Sequence, residues 1–417
     1  MESELGELSN LRVTSLEEEE DEEQSEEIEM DDMEDDEGEE GEEGITLGFV
    51  EKPKNPQTLL RHLFPSKAGG VPAWLDPVNL PSEKSRTCGL CGEPLQFLLQ
   101  IYAPIGEKES TFHRTLFVFM CPSMSCLLLD QHEQWKHGEE NPRRSIWDGC
   151  SVRVFRCQLP RTNQFYSSDP PRHDGTDKPL KAGVSLCCWC GTWKGDKVCS
   201  HCRRANYCSE KHQALHWRSG HNSDCHQTIR SLGASSSGLA KSLEMIGVAK
   251  KFSSSTLWPE FEISIEDEYI FDSEKSGENN MAISLAPKLN KTDEMIQSMM
   301  DQFEGDADKR SWASFQERIA GATEQVLRYF RDPMARPLWP LSIGRPSKAD
   351  IPSCSYCKGP LCYEFQIMPQ LLYYFGVKND PESLDWATIA VYTCSESCEV
   401  SLGYKEEFAW VQLYPAL

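Results

Sequence analysis

Cys88-Gly89-Leu90-Cys91-Gly92-Glu93-Pro94-Leu95-Gln96-Phe97 returns near the C-terminus as Cys354-Ser355-Tyr356-Cys357-Lys358-Gly359-Pro360-Leu361. Each copy is followed by a β-rich run, Leu116 to Met120 and Ala390 to Thr393, that leads straight into a second cysteine pair. Those pairs are Cys121/Cys126 and Cys394/Cys398. Both copies then close on Gln-Leu and a nearby proline, Gln158-Leu159-Pro160 and Gln412-Leu413-Tyr414-Pro415. Self-similarity on this scale is the mark of a duplicated supersecondary unit. The fold expected is therefore α+β, mainly β, built on a duplicated β-rich unit.

Working outward, residues 45–50 alternate like a strand. Phe97 to Tyr102, Thr115 to Met120 and Ser151 to Gln158 are rich in β-branched and aromatic residues and predict three more. The Gly/Pro-punctuated Ser66–Leu75 predicts a loop, with Trp74 anchoring it against a sheet. Residues 309–331 predict one helix, because Trp312, Phe315, Ile319, Val326, Leu327 and Phe330 keep roughly helical spacing before Pro333 and Pro337. The organisation read from the chain is a disordered acidic tail (1–43), a first β-rich unit (44–160) and a linker (161–186). A thiol-rich module follows (187–225), then a helical or loop connector, partly flexible (226–308). The amphipathic helix with the second β-rich unit completes it (309–417).

Composition narrows the class. The chain has 417 residues, 18 of them cysteine, and a net charge of −25. Residues 1–43 hold 23 Asp and Glu against Arg12 alone, so the remainder is nearly neutral. Such a charge run repels itself and buries too little apolar surface to order. The acidic opening lacks the basic and apolar regions of a secretory signal, and the longest apolar stretches are too short to span a bilayer. No membrane partner is expected. In a reducing compartment, 18 cysteines point to zinc rather than disulfides.

The most specific signal is Cys187-Cys188-Trp189-Cys190, then Cys199-Ser200-His201-Cys202, Cys208-x3-His212 and His221-x3-Cys225. A C-x2-C knuckle presents two thiolates to one tetrahedral ion, and an i, i+4 pair lies on one face of a helical turn. Eight ligands imply two zinc ions. A module this small folds on metal-binding free energy. Cys188 and His201 lie off the pattern, and His216 and His226 are expected at the surface. These residues resemble the MYND zinc finger, including Tyr207-Cys208 and Trp217. The resemblance implies cross-braced ligation, with Cys187, Cys190, Cys208 and His212 on one zinc and Cys199, Cys202, His221 and Cys225 on the other. His212 stands where many such fingers have cysteine. Lys194, Lys197, Arg203, Arg204, Lys211 and Arg218 offset the charge of the two sites and are expected to face solvent. Without a basic stripe or stacking platform, direct nucleic-acid binding is not expected. MYND fingers bind proline-containing peptides, and Trp189 and Trp193 are candidates to line such a groove.

The repeat cysteines form a second tier. Cys88, Cys91, Cys121 and Cys126 in one unit, and Cys354, Cys357, Cys394 and Cys398 in the other, either close one four-thiolate zinc site each or are reduced thiols of core and turns. Cys150, Cys157 and Cys362 read as core thiols.

The whole chain resembles the programmed cell death protein 2 family. The matching segments are Leu47-Gly48-Phe49, Ser66–Leu75, Val154–Pro160, the finger, and Glu364-Phe365-Gln366-Ile367-Met368-Pro369-Gln370-Leu371-Leu372. The acidic tail departs from the family. The resemblance implies a non-enzymatic, cytoplasmic and nuclear chaperone dedicated to a newly made small-subunit ribosomal protein. It thus implies support of 40S ribosome biogenesis, with links to proliferation and apoptosis. A strongly basic client suits a neutral scaffold carrying an acidic arm. The other reading is a transcriptional co-regulator whose finger recruits proline-containing corepressor peptides. Enzymatic readings find little: no G-x-G-x-x-G, P-loop or G-x-S-x-G run occurs, and no Asn-His-Ser-Cys segment accompanies the finger. In His132-Glu133-Gln134-Trp135-Lys136-His137 the second histidine is one residue too far to share a helical face with the first.

Overall fold

The alternating run Thr46–Glu51 forms strand β1, followed by β2 (Lys67–Ala68), β3 (Gln96–Tyr102), β4 (His113–Met120), helix α1 (Met124–Lys136) and β5 (Val152–Leu159). The thiol-rich module contributes β6 (Lys197–Val198), β7 (Asn206–Tyr207) and α2 (Glu210–His216). Then come β8 (Phe261–Asp267), α3 (Ala307–Ile319), β9 (Leu327–Tyr329), β10 (Leu361–Ile367), α4 (Gln370–Tyr374), β11 (Thr388–Cys394) and β12 (Lys405–Gln412). This computed structural model describes residues 44–414 other than 82–83, 137–148, 173, 175, 178, 228–256, 269–306, 381 and 400–402. The acidic segment 1–43, most of the connector and His137 lie outside the described residues. Among the described residues, no helix is long and apolar enough to cross a membrane.

Ten strands close into one antiparallel barrel in the order β1-β8-β2-β3-β4-β5-β12-β11-β10-β9. The duplication holds at the level of register. Phe97 faces Phe119 and Leu99 faces Val118, with Leu98 bulged out between them. In the second unit Tyr363 faces Tyr392 and Phe365 faces Val391, with Glu364 bulged at the same place. A bulge bends its strand and increases the local twist, so the same corner is turned twice. The Gln-Leu endings, however, do not correspond residue for residue. Thr115 pairs with Cys157, whereas Thr388, its counterpart, pairs with Gln412, so Gln158 sits one position beyond the place of Gln412. Pairing rather than residue identity sets which face a strand residue occupies.

The two units also exchange their first strands. β1, first in the chain, pairs with β9 of the second unit, and β8 pairs with β2 of the first. β1 and β8 pair with each other, as do the last strands β5 and β12, and these two seams close the barrel. β8 falls in the segment read from sequence as a helical or loop connector. Its short Phe-Glu-Ile-Ser-Ile alternation becomes a strand because two bare edges, β1 and β2, flank it. The helix expected over 309–331 is also shorter than its periodicity suggests. α3 ends at Ile319, two residues before Gly321, and Leu327 belongs to β9, fixed between β1 and β10. Tertiary pairing overrides the helical spacing there.

Strand residues alternate between lumen and exterior. Leu99, Leu116, Val118, Phe365, Ile389 and Val391 fill the lumen together with Leu127 of α1 and Leu371 of α4. Each such side chain contributes about 1.5–3 kcal/mol on burial. These side chains pack into one continuous apolar core among the described residues. Across the unit boundary run buried ion pairs: Arg114 with Glu364, Arg156 with Glu407, and Arg153 with Glu406. In each of these, the first unit supplies arginine and the second glutamate.

Candidate metal centres

The finger's first knuckle is shaped by backbone before any side chain acts. Cys187 donates its N–H to Trp193 O at 2.8 Å, and Gly191 donates back to Cys187 O at 2.8 Å. Gly191 sits at φ +66°, a left-handed conformation glycine adopts without steric cost. The second knuckle repeats the turn with Cys199 to Ala205 O and Arg203 to Cys199 O, at 2.8 and 2.9 Å. Ser209 caps α2 by accepting the His212 N–H at 3.1 Å, which aims His212 back toward Cys208 from the first helical turn. Past α2, a kink at Gly220 turns His221 inward.

The structure thereby assembles Cys187, Cys190, Cys208 and His212 in one group and Cys199, Cys202, His221 and Cys225 in another, ligand atoms within 4.8 Å of one another. Cys190 and Cys208 sulfurs lie 3.9 Å apart, as do those of Cys199 and Cys225. Cys187 Sγ is 3.7 Å from His212 Nδ1, and Cys202 Sγ is 3.7 Å from His221 Nε2. A tetrahedral zinc with Zn–S of about 2.3 Å needs sulfurs about 3.8 Å apart, so both groups fit the ion. Hydrogen bonds from Cys190 and Cys208 push the Cys187 thiol far down, while Cys187 and Cys190 push Cys208 up. Close thiols share protons in this way until a dication lets all of them ionise.

Around these groups, Tyr207 Oη lies 3.0 Å from His216 Nδ1, and the His216 ring stacks on His221 with centroids 4.8 Å apart. His216 is thus half-buried beside a ligand rather than at the surface. Cys188 Sγ accepts the Asn206 N–H at 3.4 Å, while His201 and His226 are exposed. Lys194, Arg203, Arg204, Lys211 and Arg218 are exposed and Lys197 is half-buried.

The finger is bound to the first β unit by aromatic packing. Trp193 packs on Phe119 with centroids 4.5 Å apart and also meets Phe155 and Trp74. Arg86 reaches across to Lys194 O, Cys208 O and the Asp196 carboxylate. Trp189 and Trp193 are both buried, so neither lines an open peptide groove in this structure. Trp193 spends its surface on the barrel instead. The equivalent outer face of the second unit, Tyr363, Tyr392 and Trp410, is covered by Ala335, Trp339 and Ile351 from its own preceding loop.

Two further groups of sulfurs come together outside the finger. Cys88, Cys91, Cys121 and Cys126 meet in the first unit, and Cys354, Cys357, Cys394 and Cys398 in the second, each within 4.8 Å. The Cys88 thiol is lowered to about 5, chiefly by its hydrogen bond with Cys121, whose own thiol is pushed up by the same bond. Cys157 is buried, Cys150 and Cys362 are half-buried, and none of the three joins a group.

A duplicated β-barrel carrying a docked finger with two such ligand groups defines a zinc-finger protein of unusual scaffold. Residues 44–173 match the family Programmed cell death protein 2, N-terminal domain, and residues 309–413 match the C-terminal domain of that protein. Residues 187–225 match the MYND finger. The chain is 38% identical over 374 residues to Programmed cell death protein 2 of Bos taurus, spanning 88% of this chain and 95% of that protein. Against the Rattus norvegicus protein of the same name the identity is 36% over 375 residues, spanning 88% and 96%. A protein of Schizosaccharomyces pombe named "Probable 20S rRNA accumulation protein 4" is 30% identical over 119 residues, spanning 25% of this chain and 28% of that one. No solved structure matches. The chain belongs to the programmed cell death protein 2 family.

Proposed function

We propose that this protein is a non-enzymatic holder of another polypeptide: a chaperone dedicated to a newly made small-subunit ribosomal protein, acting in 40S ribosome biogenesis in cytoplasm and nucleus. The observation that carries the reading is the likeness to a protein named for 20S rRNA accumulation, which ties one relative to ribosomal RNA. Physical features agree with it. The buried carboxylates of the barrel are spent on structure: Glu364 and Glu407 are each neutralised by an arginine of the other unit. Burial opposes ionisation of Glu364, but Arg114 beside it holds the carboxyl below its usual range. The N-terminal 43 residues, with 23 acidic side chains, supply a polyanion able to compete for a basic client before it meets RNA. Zinc acts as a structural ion in the finger.

The test is capture of the full-length protein on translating ribosomes, followed by identification of the associated nascent chains. One basic small-subunit ribosomal protein is expected. Recovery of nuclear corepressors that persist when ribosome synthesis is blocked, with no ribosomal protein, would move the function to transcriptional co-regulation.

A further inference from the structure

The two cysteine groups outside the finger share more with it than residue type. In the first unit Cys88 donates to Glu93 O at 2.8 Å and Gly92 donates back to Cys88 O at 2.9 Å. In the second, Cys354 donates to Gly359 O at 2.8 Å and Lys358 donates back to Cys354 O at 2.9 Å. The return bond is the one that shapes both finger knuckles, and the bond from the first cysteine differs only in reaching one residue less far. The residue after the second cysteine is left-handed in all four: Gly92 at φ +72°, Gly191 at +66°, Arg203 at +55° and Lys358 at +63°. Lysine does not enter that region without a constraint that repays the strain.

The sulfurs agree with the backbone. Cys91 and Cys121 lie 3.7 Å apart, Cys354 and Cys398 3.7 Å, and Cys357 and Cys394 3.5 Å. Disulfides, at about 2.05 Å, do not fit these separations. Core thiols do not fit either, because Cys91 and Cys357 are exposed and Cys398 is only half-buried. The two groups also occupy equivalent places, Cys121 directly after the last residue of β4 and Cys394 at the last residue of β11.

We propose that each β unit holds its own structural zinc ion on four thiolates, so that the chain binds four zinc ions. Each ion ties a knuckle to the far end of a hairpin. The two differ in their surroundings. Arg156 of the first unit places Nη2 3.8 Å from Cys398 Sγ and Nη1 3.3 Å from Cys398 O. Glu407, paired with Arg156, accepts the Cys394 N–H at 3.0 Å. Among the described residues, no arginine reaches the sulfurs of the first unit's group. The dianionic site in the second unit is thus braced by a guanidinium.

Zinc counting by native mass spectrometry of the full chain, combined with alkylation, tests this without any variant. Four ions are expected, with the 14 ligand cysteines of the 18 unreactive toward iodoacetamide, together with the buried Cys157. Cys91 and Cys357 should resist modification despite their exposure and become reactive when a chelator removes metal. The first unit's pair should be unmasked before the second's. Two ions per chain, with Cys91 and Cys357 the first thiols modified in untreated protein, would overturn the proposal. Release from the second unit first would remove Arg156 from its site.

Discussion

Trp74 and Trp193 hold the finger to the barrel by a reciprocal exchange. The Trp74 indole N–H donates to Thr192 O of the finger, and the Trp193 indole N–H donates to Leu95 O of the first unit, each at 2.8 Å. The rings lie 5.6 Å apart between centroids, and Trp193 is 1% exposed. Replacing Trp193 by alanine should cost about 3–5 kcal/mol at this boundary. The finger's ligands are untouched, so its zinc should stay bound while it comes loose. Hydrogen exchange should rise across 187–208 with the metal count unchanged; an unaltered exchange pattern would deny the latch its role.

Arg114 and Glu364 meet at the unit boundary with both side chains fully buried and Nη2 to Oε2 at 2.7 Å. Glu364 also accepts from Tyr329 Oη at 3.0 Å and from the Thr393 hydroxyl. Arg114→Met should cost about 3–5 kcal/mol by leaving the buried carboxylate without its bidentate partner, with only Arg331 Nε 3.6 Å away to offset its charge. Adding Glu364→Leu should return much of that loss. Urea denaturation at fixed zinc concentration measures both, and a double variant as unstable as the sum of the two singles would refute the coupling.

Lys358 is left-handed at φ +63° where the first unit has Gly92. Lys358→Gly should therefore stabilise the second unit by up to about 1 kcal/mol, since glycine removes the clash between Cβ and carbonyl. Gly69→Ala should do the reverse, because a Cβ there would lie 1.9 Å from Pro259 O. Thermal melts of the two variants should move in opposite directions.

His113 is 4% exposed, stacks on Phe64 with centroids 4.1 Å apart, and leaves Nε2 without a partner. Burial lowers its pKa to about 4. An unfolded chain protonates this imidazole below about 6.5, so it binds more protons than the folded one between those values. Stability from His113 is therefore complete above pH 6.5 and declines toward pH 4, by about 3 kcal/mol at most. His113→Gln should show a shallower loss than wild type over that interval. Metal loss in acid affects both proteins and cancels in the difference.

The duplication could be read because Cys-x2-Cys and Gly-Pro-Leu or Glu-Pro-Leu survive in both copies. The finger could be read because ligand spacing is a local constraint. β8 escaped because Phe261–Asp267 is short and half charged, and becomes a strand only between β1 and β2. Val326 and Leu327 kept helical spacing with α3 by coincidence, since their partners lie on β1 and β10 and outside the local sequence. Trp193 looked like a candidate for peptide contact; nothing near it in the chain announces Phe119 and Phe155 as neighbours. Arg156 and Glu364 gave no signal either, because a single charge in a strand reads as solvent-facing until the opposite strand is known.

The crossed first strands set a timetable for synthesis. When β1 leaves the ribosome, about two hundred residues remain to be made before β8, and more before β9. At roughly 5–20 residues per second, both edges of β1 stay bare for on the order of ten to forty seconds. Both strands that pair with β1 come later in the chain, so the nascent N-terminal half has to be kept from sticking to its neighbours until the C-terminal half arrives.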